Sequence, residues 1–345
     1  MTNKTEIILN IDNPLFEYIK PLDNDEFSKM KNKDLKEMFH YMKDYYLILR
    51  NRLGFNDDVT FGLELEFENA NKGEIVNLLN MTKLNKEWFF KNDGSLNNGS
   101  EINSPILKDT YKSWNDLKKV CNIVSSFASI SLNSAGHIHI GTQVIGGKIN
   151  SWLNFIKLWS TYENVIFRFL YGEFLTPRPK ITNYASPMMI QLMEDYAKLN
   201  LESNLQTKDI VNQIRHRRRQ AINFYNVHNF DKITLKNTIE FRSPNGTLDP
   251  VIWQNNLDLL VNILLYSKSD DYNDDIVSRR KYENEYKYLD IKTYNEIYLN
   301  QALELCDMLY SNNYDKIYFL KQYLKSFEVG KSDLEKAKVF TKKKH

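Results

Sequence analysis

The chain has 345 residues, with 46 Lys and Arg against 44 Asp and Glu and a net charge of +2, so its global charge does not call for a nucleic acid or an anionic membrane as partner. Hydrophobic residues make up 42% and no apolar run approaches membrane-spanning length, which argues against a membrane-embedded chain and leaves ample material for a core. The polar start from Met1 to Ile11 has no signal-peptide core, and Cys121 and Cys306 are too few for a disulfide framework; both are expected as buried small hydrophobes in a cytoplasmic protein.

Taken in chain order, apolar residues at helical spacing (Phe27, Met30, Leu35, Phe39, Met42, Tyr46, Leu49) predict a long helix from Asp25 to about Leu53, with Gly54 as its C-terminal cap. Asn56-Asp57-Asp58 is a turn signal before a strand from Val59 to Glu68. A short helix over Glu74–Leu84, a strand over Glu87–Lys91 and a tight turn at Asn92-Asp93-Gly94-Ser95 follow, then a strand from Ser100 that Pro105 stops. Ser113 reads as the N-cap of a helix to Ser131. A strand from His137 to Val144 ends at Gly146-Gly147, and Ser151–Phe174 forms a strongly apolar helix. Three prolines make 176–187 a loop of functional length. Helices over Met188–Leu199 and Lys208–Ile222, a strand over Lys236–Ser243 and a helix over Pro250–Ser267 complete the middle of the chain. Helices separated by Asp/Asn clusters run to about Phe327, and the charged tail from Lys331 is expected to fray. Single helices alternate with strands that have polar fronts, and helices gather at both ends. This pattern predicts an α+β fold with a mainly antiparallel sheet.

Four of these strands carry chemistry. Glu64-Leu65-Glu66, Glu101-Ile102-Asn103, His137-Ile138-His139 and Glu240-Phe241-Arg242 each place polar side chains at i and i+2, on one face of a strand. The intervening residues are apolar, so each strand has a greasy back and a charged front. If the strands share a sheet, one face gathers Glu64, Glu66, Glu101, Glu240, His137, His139 and Arg242. Such a face is too costly to leave uncompensated, and divalent cations are the natural compensation. Carboxylate oxygens suit Mg²⁺ or Mn²⁺, and a pair of cations about 4 Å apart needs roughly the ligands that Glu64, Glu66, Glu101, His137 and Glu240 supply. Arg242, one strand repeat from Glu240, is placed to hold an anion, phosphate above all. Cations with an arginine point to a nucleotide-polyphosphate site; no GxxxxGK[ST] or GxGxxG glycine loop is present.

In order along the chain come Gly62-Leu63-Glu64-Leu65-Glu66-Phe67, Asp93-Gly94-Ser95 with Glu101-Ile102-Asn103-Ser104-Pro105, Ala135-Gly136-His137-Ile138-His139-Ile140-Gly141, and Thr238-Ile239-Glu240-Phe241-Arg242 with Asn245-Gly246-Thr247-Leu248. This series, over residues 58 to 265, resembles the amidoligase family of the carboxylate–amine ligase superfamily, which includes glutamine synthetase and glutamate–cysteine ligase. The resemblance implies a curved antiparallel sheet of glutamine-synthetase type whose concave face binds ATP and Mg²⁺, with helices on the convex face and at both termini. It implies phosphoryl transfer from ATP to a substrate carboxylate and attack of an amine on the acyl phosphate. Carried over by position, Glu64, Glu66, Glu101, His137 and Glu240 match the metal ligands. Glu66, Glu240 and Arg242 match the catalytic group, and Arg242 also matches a phosphate contact. His139 matches a second family histidine and is carried over with the cofactor-binding residues, and Arg218 or Arg219 with Asn223 match an upstream Arg and Asn of the nucleotide site. The domain reading is a helical extension over 1–57, the ligase domain over 58–268 and a packed helical region over 269–345. The partners implied are small-molecule or peptide carboxylates and amines, with self-assembly expected from the superfamily.

Blander readings stand beside these. Glu68, at the strand end, reads as surface; His216 and His228 as structural or surface; Asp93 as a turn residue; Trp152, Trp159 and Trp253 as core. The run Arg215-His216-Arg217-Arg218-Arg219 reads first as a solvated helix face, then as a phosphate or carboxylate contact, and last as a nucleic-acid footprint. Gly136 and Gly141 permit close approach of backbone or ligand. Arg178 sits in a loop long enough to cover a substrate. Two other functions remain open: a metal-dependent hydrolase or oxygenase using His137-x-His139 with a carboxylate, and a non-catalytic nucleotide-binding scaffold.

Overall fold

Phe61, Leu63, Leu65 and Phe67 alternate with Gly62, Glu64 and Glu66, and this two-residue period becomes the central strand β1 (Thr60–Phe67). A computed structural model describes residues 47–325 other than 95, 132, 175, 200–203, 231–232, 234–235, 285–295 and 312. Within it, β2 (Phe89–Asn92), β3 (Ser100–Asn103), β4 (Leu107–Lys108), β5 (Gly136–Gly141), β6 (Ile222–Asn223) and β7 (Thr238–Phe241) join β1 in one open seven-stranded sheet of order β2-β3-β1-β5-β7-β6. β4 pairs with the start of β1, and every strand pairing is antiparallel. The helices are α1 (Lys72–Met81), α2 (Tyr111–Phe127), α3 (Ile149–Leu170), α4 (Ile181–Tyr184), α5 (Met189–Leu199), α6 (Thr207–Ile214), α7 (Pro250–Lys268), α8 (Asp274–Asn284), α9 (Glu296–Leu309) and α10 (Asn313–Leu324). The α+β architecture with an antiparallel sheet is therefore the one expected from the sequence.

The apolar back of the sheet is covered by α2, α3 and α7. Phe61 of β1 stacks on Trp114 of α2 with ring centroids 5.3 Å apart, and Trp159 of α3 lies 5.6 Å from Phe241 of β7. Trp253 of α7 packs so tightly on Gly136 that a Cβ there would come within 2.7 Å of its ring, so this glycine makes room for the core rather than for a ligand. Trp114, Trp152, Trp159 and Trp253 are all fully buried, and each contributes roughly 2–3 kcal/mol of apolar burial. Behind them α8, α9 and α10 pack against α3. Cys121 and Cys306 are buried and unlinked, and burial pushes both thiols up. Among the described residues no helix is long and apolar enough to cross a membrane.

Several predicted boundaries move for identifiable reasons. Of the helix expected over Asp25–Leu53, residues 25–46 lie outside the described residues, and 47–53 are not helical. Gly54, at φ +93°, instead lets the N–H groups of Leu53, Gly54 and Phe55 converge on the buried Asp109 carboxylate. Thr110, not Ser113, caps α2, its side chain accepting from Ser113 N. The helix expected over Lys208–Ile222 stops at Ile214, because Arg215–Arg219 offer no apolar side chain to bury while Ile222 and Asn223 are needed on the sheet edge beside β7. The proline-rich segment 176–187 contains α4, tied by Ile181 N to Arg178 O. The charged tail from Lys331 lies outside the described residues.

Candidate active site

The register brings the polar residues into cross-strand rows. Lys91 pairs with Glu101 and Glu101 with Glu66; Asn103 pairs with Glu64 and Glu64 with His137; Gly62 pairs with His139, His139 with Glu240 and Glu240 with Asn223. Directly opposed residues lie on the same face of a sheet. Glu64, Glu66, Glu101, His137, His139, Glu240 and Asn223 therefore all share one front, as their spacing predicts.

Two groups on this front bring side-chain oxygens and nitrogens close enough together to hold a metal ion. Glu64, His139 and Glu240 each offer a ligand atom within 4.8 Å of the others, and so do Glu66, Asp93 and Glu101. His137 joins neither group and stands between them. Its Nδ1 is 2.8 Å from Glu64 and 3.8 Å from Glu240, and its Nε2 is 3.9 Å from Glu66. The donor sets, carboxylates with at most one imidazole, fit hard divalent cations such as Mg²⁺ and Mn²⁺.

Neighbouring groups hold these ligands in place. Glu66 Oε2 accepts from Ala135 N at 2.7 Å, and Glu101 is 3.1 Å from the Lys91 ammonium. Glu240 accepts from Asn223 Nδ2 at 2.6 Å and is paired with Arg242, whose Nε donates to Tyr184 O at 3.2 Å. Glu64 Oε1 is 3.1 Å from His139 Nε2. Burial pushes the Glu64 carboxyl up, but hydrogen bonds from His137 and His139, with their charges, more than offset it and hold the group well below the usual carboxylate range. His139 is shifted upward: burial opposes its charge, and Glu64 and Glu240 outweigh both that and Arg242.

An open cavity of about 380 Å³ lies over this face, and its lining includes Glu64, Glu66, Asp93, Glu101 and His137 together with Arg178, Lys180, Tyr184, Arg219 and Arg242. Arg178 is buried, donates from Nη2 to Arg242 O at 2.7 Å, and is pulled down to about 10 by burial, which the charge of Glu66 opposes and that of Arg242 reinforces. Arg219 lies over the Tyr184 ring at 5.1 Å.

The structure thus gathers the residues singled out in the sequence but redistributes them. His139, expected at the cofactor, falls in a group that could hold a metal ion, and His137, expected as a ligand, stands between the two groups. Asn223 contacts Glu240 rather than lining the cavity. Of the two candidate arginines, Arg219 lines the cavity, whereas Arg218 stacks on Tyr225 at 4.9 Å. Of the remaining basic run, Arg215 donates to Val227 O and His216 pairs with the buried Asp195 at 2.5 Å. Glu68 is buried, not surface, and accepts from Asn97 N at 2.8 Å. Asp93, read from the sequence as a turn residue, lies in the second of these groups; its place at the end of β2, near Glu101, is the signal the sequence offers.

No curated protein matches the chain. A family model described as "Putative amidoligase enzyme" does match, over residues 77–264, from α1 to α7. That segment contains Asp93, Glu101, His137, His139, Glu240 and Arg242, while β1 with Glu64 and Glu66 precedes it and is joined to the site by its register with β3 and β5. Because the match spans more than half of its length, the chain belongs to this amidoligase family.

Proposed function

We propose that the protein is an ATP-dependent ligase that joins a carboxylate to an amine through an acyl phosphate, on a sheet used as in glutamine synthetase. The observation that carries this reading is the pair of carboxylate-rich groups on one sheet face, each able to hold a cation, whose cavity is also lined by arginines. Glu64, His139 and Glu240 would hold one Mg²⁺ or Mn²⁺, and Glu66, Asp93 and Glu101 a second. When bound, such cations neutralise nucleotide phosphates and support in-line transfer.

The chain's own residues would do the positioning. Arg242, fixed between Glu240 and the Tyr184 carbonyl, faces the cavity as the group that stabilises charge on the transferring phosphoryl. His137 holds Glu64 in its ligand orientation. Phosphoryl transfer needs charge neutralisation and alignment more than a nucleophilic side chain. In the balanced reaction the carboxylate oxygen takes the γ-phosphoryl of ATP and ADP leaves. The amine then attacks the carbonyl, loses a proton and releases phosphate. The acid and amine are proposed to be amino acids or peptides, the setting cytoplasmic, and self-assembly compatible with the superfamily.

A hydrolase or oxygenase using His137 and His139 together is supported less well, because only one of the two imidazoles falls within a ligand group. Hydroxylamine as the amine tests the proposal, since it converts an acyl phosphate to a hydroxamate. Carboxylate-dependent ADP release with a matching yield of hydroxamate supports it. Mg·ATP binding without ADP release for any carboxylate favours a non-catalytic scaffold. Tight Zn²⁺ or Fe²⁺ with no affinity for ATP favours the hydrolase or oxygenase.

A further inference from the structure

The cavity over the sheet has a neighbour. Ser186, Pro187, Ile190, His216, Arg217 and Gln220 line a second open cavity of about 490 Å³, to which neither ligand group contributes. The two cavities lie side by side along one paired segment. Ser186 N donates to Arg219 O at 3.0 Å and Ala221 N to Ser186 O at 2.9 Å, around a parallel bridge between Ser186 and Gln220. Tyr184 and Arg219 line the first cavity; Ser186, two positions on, and Gln220, the next residue, line the second. Consecutive Cα atoms are about 3.8 Å apart, so the two linings come within about 8 Å of each other at both places. The second cavity rests on fixed groups. The fully buried Asp195 carboxylate holds His216 Nε2 at 2.5 Å and accepts from Gln213 Nε2 at 2.8 Å. Arg217 N donates to Gln220 Oε1 at 3.1 Å, which ties this arginine to the bridge.

The charge along this segment has one sign. Arg217, Arg218 and Arg219 follow one another, all exposed, in irregular chain between α6 and β6 rather than on a helix face. Among the described residues no carboxylate lies within ion-pair distance of Arg217. Arginine clusters recognise acidic chain segments, and the second cavity adds the apolar Pro187 and Ile190 and the amides of Gln191 and Gln220, which suit a peptide's side chains and backbone. A free amino acid occupies one of two such cavities. An extended peptide, advancing about 3.3 Å per residue, passes from one to the other within a few residues. We infer that the carboxylate substrate is an acidic peptide, whose residues beside the reacting one sit in the second cavity against Arg217. This inference rests on the ligase reading, which defines the reacting carboxylate.

The test is titration calorimetry in the presence of Mg·ADP, whose own binding is measured first. Hexaglutamate, hexaserine, free glutamate and a thymidine hexanucleotide are compared on the wild type, Arg217→Glu and Ile190→Asp; both replaced side chains are exposed, so the variants should fold. Hexaglutamate should bind at least about tenfold more tightly than free glutamate or hexaserine. Each variant should lose at least about fivefold for hexaglutamate, while free glutamate and Mg·ADP stay within about twofold. Hexaglutamate binding no tighter than free glutamate, or unchanged in either variant, overturns the inference while leaving the ligase reading intact. Equal binding of the oligonucleotide, lost in Arg217→Glu, overturns it by making the segment a nucleic-acid contact. Loss of Mg·ADP affinity in Arg217→Glu overturns it by assigning this arginine to the nucleotide. Absent Mg·ADP binding in the wild type overturns the ligase reading, and the inference with it.

Discussion

Glu64 and His137, opposed across the β1–β5 register, meet at 2.8 Å, and that contact links the two ligand groups through one imidazole. A register shift of a single residue would turn the His137 and His139 rings to the apolar face, taking His139 out of its group with Glu64 and Glu240 and removing the imidazole that touches both groups.

The two groups should be separable. Glu64→Gln and Glu66→Gln are each expected to keep the far-UV circular dichroism of the wild type and to lower the number of bound Mn²⁺ ions by one, read by electron paramagnetic resonance titration. The double variant should bind neither. Unchanged stoichiometry in both single variants would contradict the assignment of ligands.

The Arg242 guanidinium is held by Glu240 and the Tyr184 carbonyl, a planar fork that lysine cannot reproduce. Arg242→Lys should lower kcat for ADP release by about 10²-fold and leave Mg·ATP affinity within a few-fold, as expected for a donor that acts on developing charge. An equal loss in affinity would make it a ground-state nucleotide contact instead.

Asp109 is a structural anchor. Its buried carboxylate accepts from Leu53 N, Gly54 N, Phe55 N and Trp114 Nε1, joining the segment before β1 to α2. Asp109→Ala leaves these donors unmet and should cost at least about 3 kcal/mol in urea denaturation. A cost below about 1 kcal/mol would show that water replaces the carboxylate.

The parts legible in the sequence and the parts that were not divide along a physical line. The two-residue period around Glu64, Glu66, His137 and Glu240 announces strands with one charged face, because side-chain direction is fixed by strand geometry alone. Which histidine joins which carboxylates depends on pairing offset: Gly62, not Glu64, lies opposite His139, and the sequence does not encode that directly. Asp93 opens the β2–β3 connection, as the turn-forming residues after it announce; its place beside Glu66 and Glu101 arises only when the β2–β3 hairpin folds against β1. Arg178 and Tyr184 reach the cavity from 176–187, a segment without periodicity to read. The basic run from Arg215 to Arg219 looked uniform, yet tertiary contacts send its members to the Val227 carbonyl, Asp195, Tyr225 and the cavity.

Glu163, fully buried in α3, accepts from Trp159 Nε1, Met188 N and Met189 N, and so anchors the start of α5 next to the Arg178 segment. Burial raises its carboxyl from 4.5 to about 7, and the three donors only partly oppose this. Because the folded value lies above the unfolded one, the stabilising contribution is complete below pH 4.5 and is lost as pH rises to about 7. Stability should fall by on the order of 3 kcal/mol across that window relative to Glu163→Gln, whose amide does not titrate. Parallel stability–pH curves for the two proteins would contradict this.

Thermal unfolding with ATP and Mg²⁺ against ATP and EDTA reads directly whether the polar face of the sheet is a cation-dependent nucleotide site. A ligand that binds only the folded chain stabilises it by roughly 2.7 kcal/mol at a hundred times Kd. A clear Mg²⁺-dependent rise in Tm that Glu240→Ala abolishes is the expected result. No shift at millimolar ATP, or a shift that EDTA and Glu240→Ala leave intact, would contradict it.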